Sequence, residues 1–406
     1  MTIVKQTGKF LKFARSPFNA VYLIAWGSIL LGYWRGINNH IPVLGNFTDQ
    51  LEFLMVIIPV FLSLPKIFKK LNASYLIFIF CSILVYLTQW AFFPENGDEL
   101  SKRAINFFFI VLPYFIVGST LDLKKYLVPF HCISVIVIYI AAFYSLIYAQ
   151  SQSYVGDVKT SDYNMAQAYA VLPHVLMVSW FALKKFNLFK LINMIIGIGI
   201  IMSYGTRGPM ICTISFIIIY LFIFKQVNHR SVLLILTFFT GYLIISYITP
   251  IMIFCQVLFG NLGMSTRIFD KYLTDEIAQS HSRENISDTL IDEMYAHDDI
   301  IGHGLLGSYQ YVQTYPHNIV IEFLFSFGYV FGTILLLLLV GLITITFWRF
   351  RKSESGVFVL LLFCASIIKL CLSGTFLDDT LFFMLIGYCF QLLSRYRVSA
   401  KKAVYL

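Results

Sequence analysis

Charged residues are scarce in this chain. Only 13% of its 406 residues are Asp, Glu, Lys or Arg, whereas 58% are hydrophobic. A chain of this length could hold two or three soluble domains, but such domains need far more charge on their surfaces, so the composition excludes them. The apolar residues instead form repeated blocks of about 15 to 25 residues, the length that a helix needs to cross a bilayer.

The signatures of several protein classes are also missing. There is no P-loop and no HExxH motif, which leaves neither a Walker-type nucleotide site nor a zinc-protease helix. All seven cysteines lie within the apolar blocks, which excludes a disulfide framework in the loops and leaves no Cys/His spacing for a metal. The basic N-terminus has no small-residue cleavage site after its first apolar block, so we expect a retained span rather than a signal peptide.

The apolar blocks predict an all-α polytopic membrane protein, because backbone amides in lipid must be satisfied within each segment. About twelve spans are expected. Their approximate ranges are 19–34, 51–64, 74–93, 104–121, 126–149, 164–183, 190–205, 208–224, 231–258, 317–348, 356–377 and 380–394. The chain thus divides into nine helices over 1–258, one large loop over 259–316, and three helices with a basic tail over 317–406.

The basic residues predict the orientation of these spans. One side of the membrane collects 21 of the 30 Lys and Arg residues and the other side 8, with Lys369 left inside a span. Because cytoplasmic loops carry the excess of basic residues, we predict an inner-membrane protein with both termini in the cytoplasm. The net charge of +9 then reflects flanks that face anionic lipid, and it requires no nucleic-acid partner.

The segment 259–316 is predicted to be a large periplasmic loop. Within it, Ser282 is a plausible helix N-cap, followed by apolar residues at every fourth position. These residues are Ile286, Leu290 and Met294. The spacing predicts a short amphipathic helix that lies against the membrane domain and ends at Gly302-His303-Gly304. A long ordered loop on a compact membrane body is more often functional than a spacer.

Two arginines on the predicted external face are suited to bind anions. Arg207 lies in the turn Gly205-Thr206-Arg207-Gly208-Pro209, where the amides of a helix start and a guanidinium together suit phosphate. An interfacial arginine that reaches lipid headgroups fits the same spacing. Arg283 stands where the loop helix is expected to start, and a surface arginine paired with Glu284 or Asp288 is the alternative there.

A third piece lies where the loop re-enters the membrane. His317 at a helix start can be neutral near pH 7 and can accept a proton from a hydroxyl, although an ordinary capping residue is also possible. Glu322 lies one turn below Asn318, where an acid needs a partner. Lys369 is expected to reach toward the external cavity, where it either pairs with Asp378 or Asp379 or adds to the anion site.

Taken together, these pieces resemble the O-antigen polymerase and ligase superfamily of membrane glycosyltransferases, the Wzy and WaaL type. The matching elements are Thr206-Arg207-Gly208 at a span boundary, Arg283 ahead of a loop helix, Gly302-x-Gly304 with Gly307, and His317-Asn318 followed after nine residues by Gly328. The sequence departs from the pattern at Phe331, where a small residue is common and Gly332 follows instead, and at Thr206, where Ser is common.

The resemblance implies a GT-C-like fold and a metal-independent reaction without a cofactor. In this reaction an oligosaccharide leaves undecaprenyl diphosphate when a sugar hydroxyl attacks its anomeric carbon. Arg207 and Arg283 would bind the diphosphate, and His317 would orient or deprotonate the acceptor. Glu322 would hold either His317 or the acceptor sugar, and further contacts to substrate are expected from Arg267, Asn318 and Lys369.

The resemblance leaves the acceptor open. Phe331, and Glu322 after His317-Asn318, favour a polymerase that joins repeat units of O-antigen or capsule polysaccharide. The alternative is the ligase of lipopolysaccharide synthesis, whose acceptor is lipid A–core. The expected partners are the lipid-linked donor and acceptor, the bilayer, a chain-length regulator and a flippase. A flippase is also the alternative from another class, but such transporters carry charges within several spans and often two similar halves, which this sequence lacks.

Overall fold

The structure is a computed structural model, and it describes residues 16–38, 73–152, 165–204, 206–224, 248–262, 281–296 and 300–404, with isolated positions between 54 and 69 and between 266 and 273. Within these ranges every regular element is helical. The helices in chain order are α1 Pro17–Trp26, α2 Ile29–Asn38, α3 Ala73–Phe92, α4 Pro94–Thr120, α5 Leu123–Gln152, α6 Met165–Lys184, α7 Leu188–Ser203, α8 Arg207–Ile223, α9 Ile248–Asn261, α10 His281–Ala296, α11 Ser308–Val312, α12 Ile319–Phe350, α13 Glu354–Leu372 and α14 Thr380–Val404.

The described helices have the lengths and compositions of membrane spans. Six of them contain stretches long and apolar enough to cross a bilayer, namely α3, α4, α5, α6, α12 and α13. Three shorter helices, α7, α8 and α9, are also apolar. The expectation of a helical multi-pass membrane protein is therefore confirmed in the described part of the chain. The predicted span 51–64 and the first half of 231–258 lie largely outside it, so the number of twelve spans stays a prediction.

Several helix boundaries differ from those predicted. The expected span 19–34 is two helices, because α1 ends at Trp26 and α2 begins at Ile29. Helix α4 begins at Pro94, before the predicted start at 104, and α14 runs beyond the predicted end at 394. Hydropathy marks only the apolar part of a helix, whereas the hydrogen-bonded backbone continues into polar residues at either end.

The chain divides into two compact units. The first consists of the described residues of Met1–Lys69 and Asp122–Ala278, and it contains α1, α2 and α5 to α9. The second consists of the described residues of Lys70–Leu121 and Gln279–Leu406, and it contains α3, α4 and α10 to α14. This division differs from the linear one, because α3 and α4 belong with the C-terminal helices.

Polar side chains join three helices inside the first unit. The Trp26 ring of α1 stacks on Phe130 of α5 at 4.8 Å, and its indole nitrogen donates to Ser134 Oγ at 3.0 Å. Ser134 Oγ also lies 3.1 Å from Nδ1 of the buried His174 on α6. Hydrogen bonds between helices are a common source of association in lipid, where the hydrophobic effect does not operate between spans.

Two glycines allow a close helix contact inside the second unit. A Cβ atom on Gly118 of α4 would overlap the Met384 carbonyl of α14, and one on Gly387 would overlap the Phe115 carbonyl. The two backbones therefore touch, as small residues permit in membrane helices. Aromatic side chains pack beside this contact, since Phe78 of α3 stacks on Phe115 with ring centroids 4.0 Å apart.

Helix α12 is broken at Gly328, where φ is 76° and ψ is 170°. A Cβ atom on Gly332 would lie 2.6 Å from the Phe323 carbonyl oxygen. In a straight helix these two residues would be about 13 Å apart along the axis, so the chain turns sharply between them. The predicted single span 317–348 is thus corrected to a short piece, 319–327, followed by a longer piece, 329–350. Glycine makes the break possible, because it adopts positive φ without strain.

Candidate functional site

The loop helix α10 carries the apolar face predicted from the spacing. Leu290 and Met294 are buried against Phe325 of α12, and Ile286 packs on the same cluster. Tyr295 also lies beside Tyr329, with ring centroids 6.4 Å apart. The amphipathic helix and its packing on the membrane-spanning part are confirmed, because every fourth residue of a helix falls on the same face.

The two ends of α10 differ from the prediction. The helix begins at His281, so Ser282 lies inside its first turn and is not the N-cap. It ends at Ala296 rather than at Gly302-His303-Gly304. The glycines mark a different feature, since both have positive φ, and Gly302 lies against the backbone of α12 while Gly304 lies against the Phe93 ring.

The loop segment after α10, residues 300–318, packs at the break in α12. The His303 amide donates to the Phe325 carbonyl at 2.8 Å, and the Gly304 amide donates to the Ser326 carbonyl at 3.0 Å. These carbonyls belong to the end of the first piece of α12, where a helix leaves its last carbonyls without intrahelical partners. The loop therefore satisfies polar backbone groups that the break exposes within an apolar surrounding.

The glycines of the loop allow it to pack closely against neighbouring segments. A Cβ atom on Gly302 would overlap the Gly328 nitrogen, and one on Gly304 would lie 2.6 Å from the Phe93 ring. Together with Gly307 they have the GxGxxG spacing of dinucleotide-binding loops. No strand precedes them among the residues that the structure describes, and the Gly304 amide is bonded to α12. The spacing here serves close packing and does not build a phosphate cradle.

Three polar residues of α3 and α4, spaced seven apart, hold this loop. We call Gln89, Asn96 and Arg103 the docking strip. Their hydrogen bonds to the loop are Leu305 N to Gln89 Oε1 (2.8 Å), Asn96 Nδ2 to the His303 carbonyl (2.8 Å), Gln310 Nε2 to Asn96 Oδ1 (2.6 Å) and Arg103 Nη2 to the Tyr309 hydroxyl (2.7 Å). Burial raises the pKa of Tyr309, although the positive charge of Arg103 acts to lower it.

Sequence reasoning missed the docking strip. None of its three residues is among the site residues predicted from the sequence. The available signal was a pair of polar residues seven apart at the start of α4, since residues seven apart share one helix face, while Gln89 lies before the break at Phe93. The partners could not be inferred, because they lie about 200 residues further along the chain.

An acidic turn, residues 373–379, joins α13 to α14. Asp378 forms an ion pair with Arg103, and Asn106 Nδ2 donates to Asp378 Oδ1 at 2.9 Å. Asp379 is buried, and its Oδ1 accepts the Phe382 amide of α14 at 2.8 Å. The turn is therefore anchored to α4 by one acid, while the other caps α14.

The buried acid Glu322 is held by the same turn. Thr375 Oγ1 donates to Glu322 Oε1, and the Phe376 amide donates to Oε2 at 3.2 Å. The partner that an acid in an apolar region requires is thus the turn between α13 and α14. Contact of Glu322 with substrate stays a prediction.

Lys369 forms an ion pair with Asp379. Its Nζ lies 2.7 Å from Asp379 Oδ2, and the exposed fractions of the two side chains are 24% and 2%. Of the two alternatives that the sequence left open, pairing with an acid of the turn is the one present in this structure. Because the lysine charge is matched by a buried carboxylate, a contribution to anion binding stays a prediction.

His317 stands at the start of α12 in an unusual backbone conformation. Asn318 is the N-cap, and its Oδ1 accepts the Val320 amide at 2.9 Å. Among the described residues, the non-glycine positions with positive φ are Leu306 at 63°, Gln313 at 54° and His317 at 59°. All three lie in the loop held by the docking strip. The expected helix start at His317-Asn318 is confirmed.

The predicted site residues fall in both units. The second unit contains His317, Asn318, Glu322 and Lys369, together with α10, which carries Arg283 and whose first-turn side chains lie outside the description. The first unit contains Arg207, which is half-buried at the start of α8 as expected. The Tyr169 hydroxyl lies against Gly208 in that unit. Arg267 lies outside the described residues.

Comparisons with known proteins place no family beside this chain. No protein family, curated protein or solved structure matches it. In the described part of the chain, no group of three or more His, Cys, Asp or Glu side chains is arranged to hold a metal ion.

Proposed function

We propose that this protein is a membrane glycosyltransferase of the Wzy type. It polymerises undecaprenyl-diphosphate-linked repeat units of O-antigen or capsule polysaccharide on the external face of the bacterial inner membrane. The observation that carries the proposal is the left-handed backbone of His317, with φ of 59°, at the end of a loop that also holds Leu306 and Gln313 at positive φ. Strained backbone persists only where its surroundings over-determine it, and it clusters at active sites.

The surroundings of His317 support a preorganised group. The loop before it is joined to α12 through Gly302 and Gly328 and to α3 and α4 through the docking strip. The residue after it, Asn318, caps α12. A histidine fixed in this way can accept a proton at a stated position, as general base catalysis requires.

The proposed reaction balances without a nucleotide. The acceptor hydroxyl oxygen bonds to the anomeric carbon of the donor as the bond from that carbon to the diphosphate oxygen breaks. The electron pair leaves with undecaprenyl diphosphate, and the hydroxyl proton passes to His317. The resemblance assigns the offset of charge on the diphosphate to Arg207 and Arg283, a role suited to bidentate guanidinium groups.

Deletion of the gene followed by gel analysis of glycolipids tests this function. The polymerase proposal expects loss of the ladder, with single repeat units still attached to lipid A–core or to the lipid carrier, and restoration by a plasmid copy. Loss of all attached units with polymer accumulating on the carrier would indicate the ligase. Absence of any polymer and of any external repeat unit would indicate the flippase, and an unchanged ladder would reject all three.

A further inference from the structure

Two tyrosine–histidine pairs lie on the loop between Gly302 and the start of α12. The Tyr311 hydroxyl lies 3.2 Å from His303 Nδ1, and the two ring centroids are 5.2 Å apart. The Tyr315 ring lies 4.4 Å from the His317 ring. Tyr311 is 39% exposed although it belongs to the short helix α11. The loop therefore presents aromatic surface directly beside the histidine of the proposed mechanism.

Contacts with neighbouring residues fix the Tyr311 ring and the chain between the two tyrosines. The Tyr311 ring packs edge-on against the buried Phe325 with centroids 5.7 Å apart. Between the two tyrosines, Gln313 adopts a left-handed conformation, and Ser308 Oγ donates to the Thr314 carbonyl at 2.9 Å. Preorganised groups bind more tightly than mobile ones, because less conformational entropy is lost when a ligand arrives.

The composition of this loop points to a neutral ligand. The segment 300–318 contains no Asp, Glu, Lys or Arg, in contrast to the acidic segment before it. Beside the two tyrosines, Gln313 is exposed. Amides donate and accept hydrogen bonds, as the hydroxyl groups of a sugar do. Arg103, which contacts the loop through Tyr309, is paired with Asp378, whereas a phosphate or a nucleic acid would require basic side chains that are open to bind it.

We infer that Tyr311 and Tyr315 form a sugar subsite that holds the acceptor oligosaccharide against His317. The face of a pyranose ring carries C–H groups with partial positive charge, which pack on the electron-rich face of an aromatic ring, while its edge carries hydroxyls. The inference rests on the proposed function for its assignment to the acceptor, whereas binding of sugar at these residues can be measured without catalysis.

The test is a calorimetric titration of the purified full-length protein in detergent. The probe is the repeat-unit oligosaccharide that mild acid releases from the lipid-linked repeat units of the same cells. Wild type should bind it, and Tyr311→Ala and Tyr315→Ala should each weaken binding about tenfold. Tyr311→Phe should retain binding, because it keeps the ring, whereas Tyr311→Leu should lose it while keeping apolar bulk.

Tyr295→Ala is the matched control, since Tyr295 is 72% exposed on α10 and lies outside the uncharged segment. Unchanged affinity in Tyr311→Ala and Tyr315→Ala would overturn the subsite, as would an equal loss in Tyr295→Ala or absence of binding by wild type. Variants that change only the amount of protein in the membrane would identify interfacial anchors instead. If the protein forms polymer but the tyrosine variants bind sugar as wild type does, the subsite is rejected and the polymerase proposal is retained. If the protein binds sugar at the tyrosines but forms no polymer, the polymerase proposal is rejected and the subsite is retained.

Discussion

Gly302 and Gly328 meet backbone to backbone, and neither position has room for a side chain. A Cβ atom on Gly302 would overlap the Gly328 nitrogen, and one on Gly328 would overlap the Ile300 carbonyl. Both residues also have positive φ, 80° and 76°. The contact joins the loop to the break in α12, so the conformation of one depends on that of the other.

Gly328→Ala should therefore destabilise the protein by roughly 2 kcal/mol or more, because it adds both backbone strain and a steric overlap. Thermal unfolding in detergent and protease cleavage within 300–317 measure the effect. Gly341→Ala is the control, since Gly341 lies in the same helix with open space around its Cα. It should be neutral or slightly stabilising, as alanine favours helix over glycine. Equal unfolding temperatures for the two variants would contradict a stabilising contact between Gly302 and Gly328.

Asn96→Ala should loosen the docked loop. It removes the donor to the His303 carbonyl and the acceptor of the Gln310 amide, and a polar group left without a partner costs about 1 to 3 kcal/mol. We expect faster protease cleavage between His303 and Gln310. Thr88→Ala is a matched control, because its hydroxyl donates to Val85 within its own helix. Identical cleavage rates in the two variants would show that the docking strip does not hold the loop.

Lys369→Met should cost about 3 kcal/mol, because it leaves the buried Asp379 carboxylate without its cation. The double change Lys369→Met with Asp379→Asn should recover much of this loss, since asparagine can still cap α14. Thermal unfolding of the three proteins gives the comparison. A double variant no more stable than Lys369→Met would mean that the loss does not come from an unpaired Asp379 carboxylate. A stable but inactive double variant would support the predicted contact of Lys369 with substrate.

Arg207→Ala and Arg283→Ala should each lower the transfer rate by about two to three decades, which corresponds to roughly 2 to 4 kcal/mol of lost transition-state stabilisation. Lysine should rescue only partly, because it keeps the charge and loses the planar fork. The measurement is polymer formation by correctly folded, purified variants on a defined lipid-linked repeat unit. Full activity of either alanine variant would remove that arginine from the mechanism.

His317→Ala should also be severely impaired in the same assay. A base role further requires that wild-type activity falls as the pH is lowered enough to protonate the imidazole, because only the neutral ring can accept the proton. The profile of His317→Ala should lack this acid limb. Near-normal activity of the folded variant would exclude His317 as the base and would leave binding of the diphosphate by the two arginines as the proposed source of catalysis.

The orientation predicted from the basic residues can be measured directly. A cysteine introduced at Ser280, in a background without the seven native cysteines, should react with an impermeant maleimide in intact spheroplasts. The expectation follows from the 21 to 8 distribution of Lys and Arg. Labelling only after lysis would reverse the orientation and reject the external mechanism.

Several features of this protein follow from its sequence alone. Its class follows from the length and composition of the apolar blocks, and the face of α10 follows from the spacing of Leu290 and Met294. The helix starts at Arg207 and at His317-Asn318 were equally readable. These are local properties, because the length of a span, the period of a helix and the chemistry of its cap depend on neighbouring residues only.

Only the tertiary structure decided which distant residues meet. It selected Asp379 rather than Asp378 as the partner of Lys369, gave Glu322 to the turn at Thr375, and brought Asn96 to His303. Each of these contacts depends on how helices pack, and many pairings of polar residues satisfy the sequence equally well. Packing in the folded chain selects one of these pairings, because a buried polar group needs a partner within about 3 Å and few candidates lie so close.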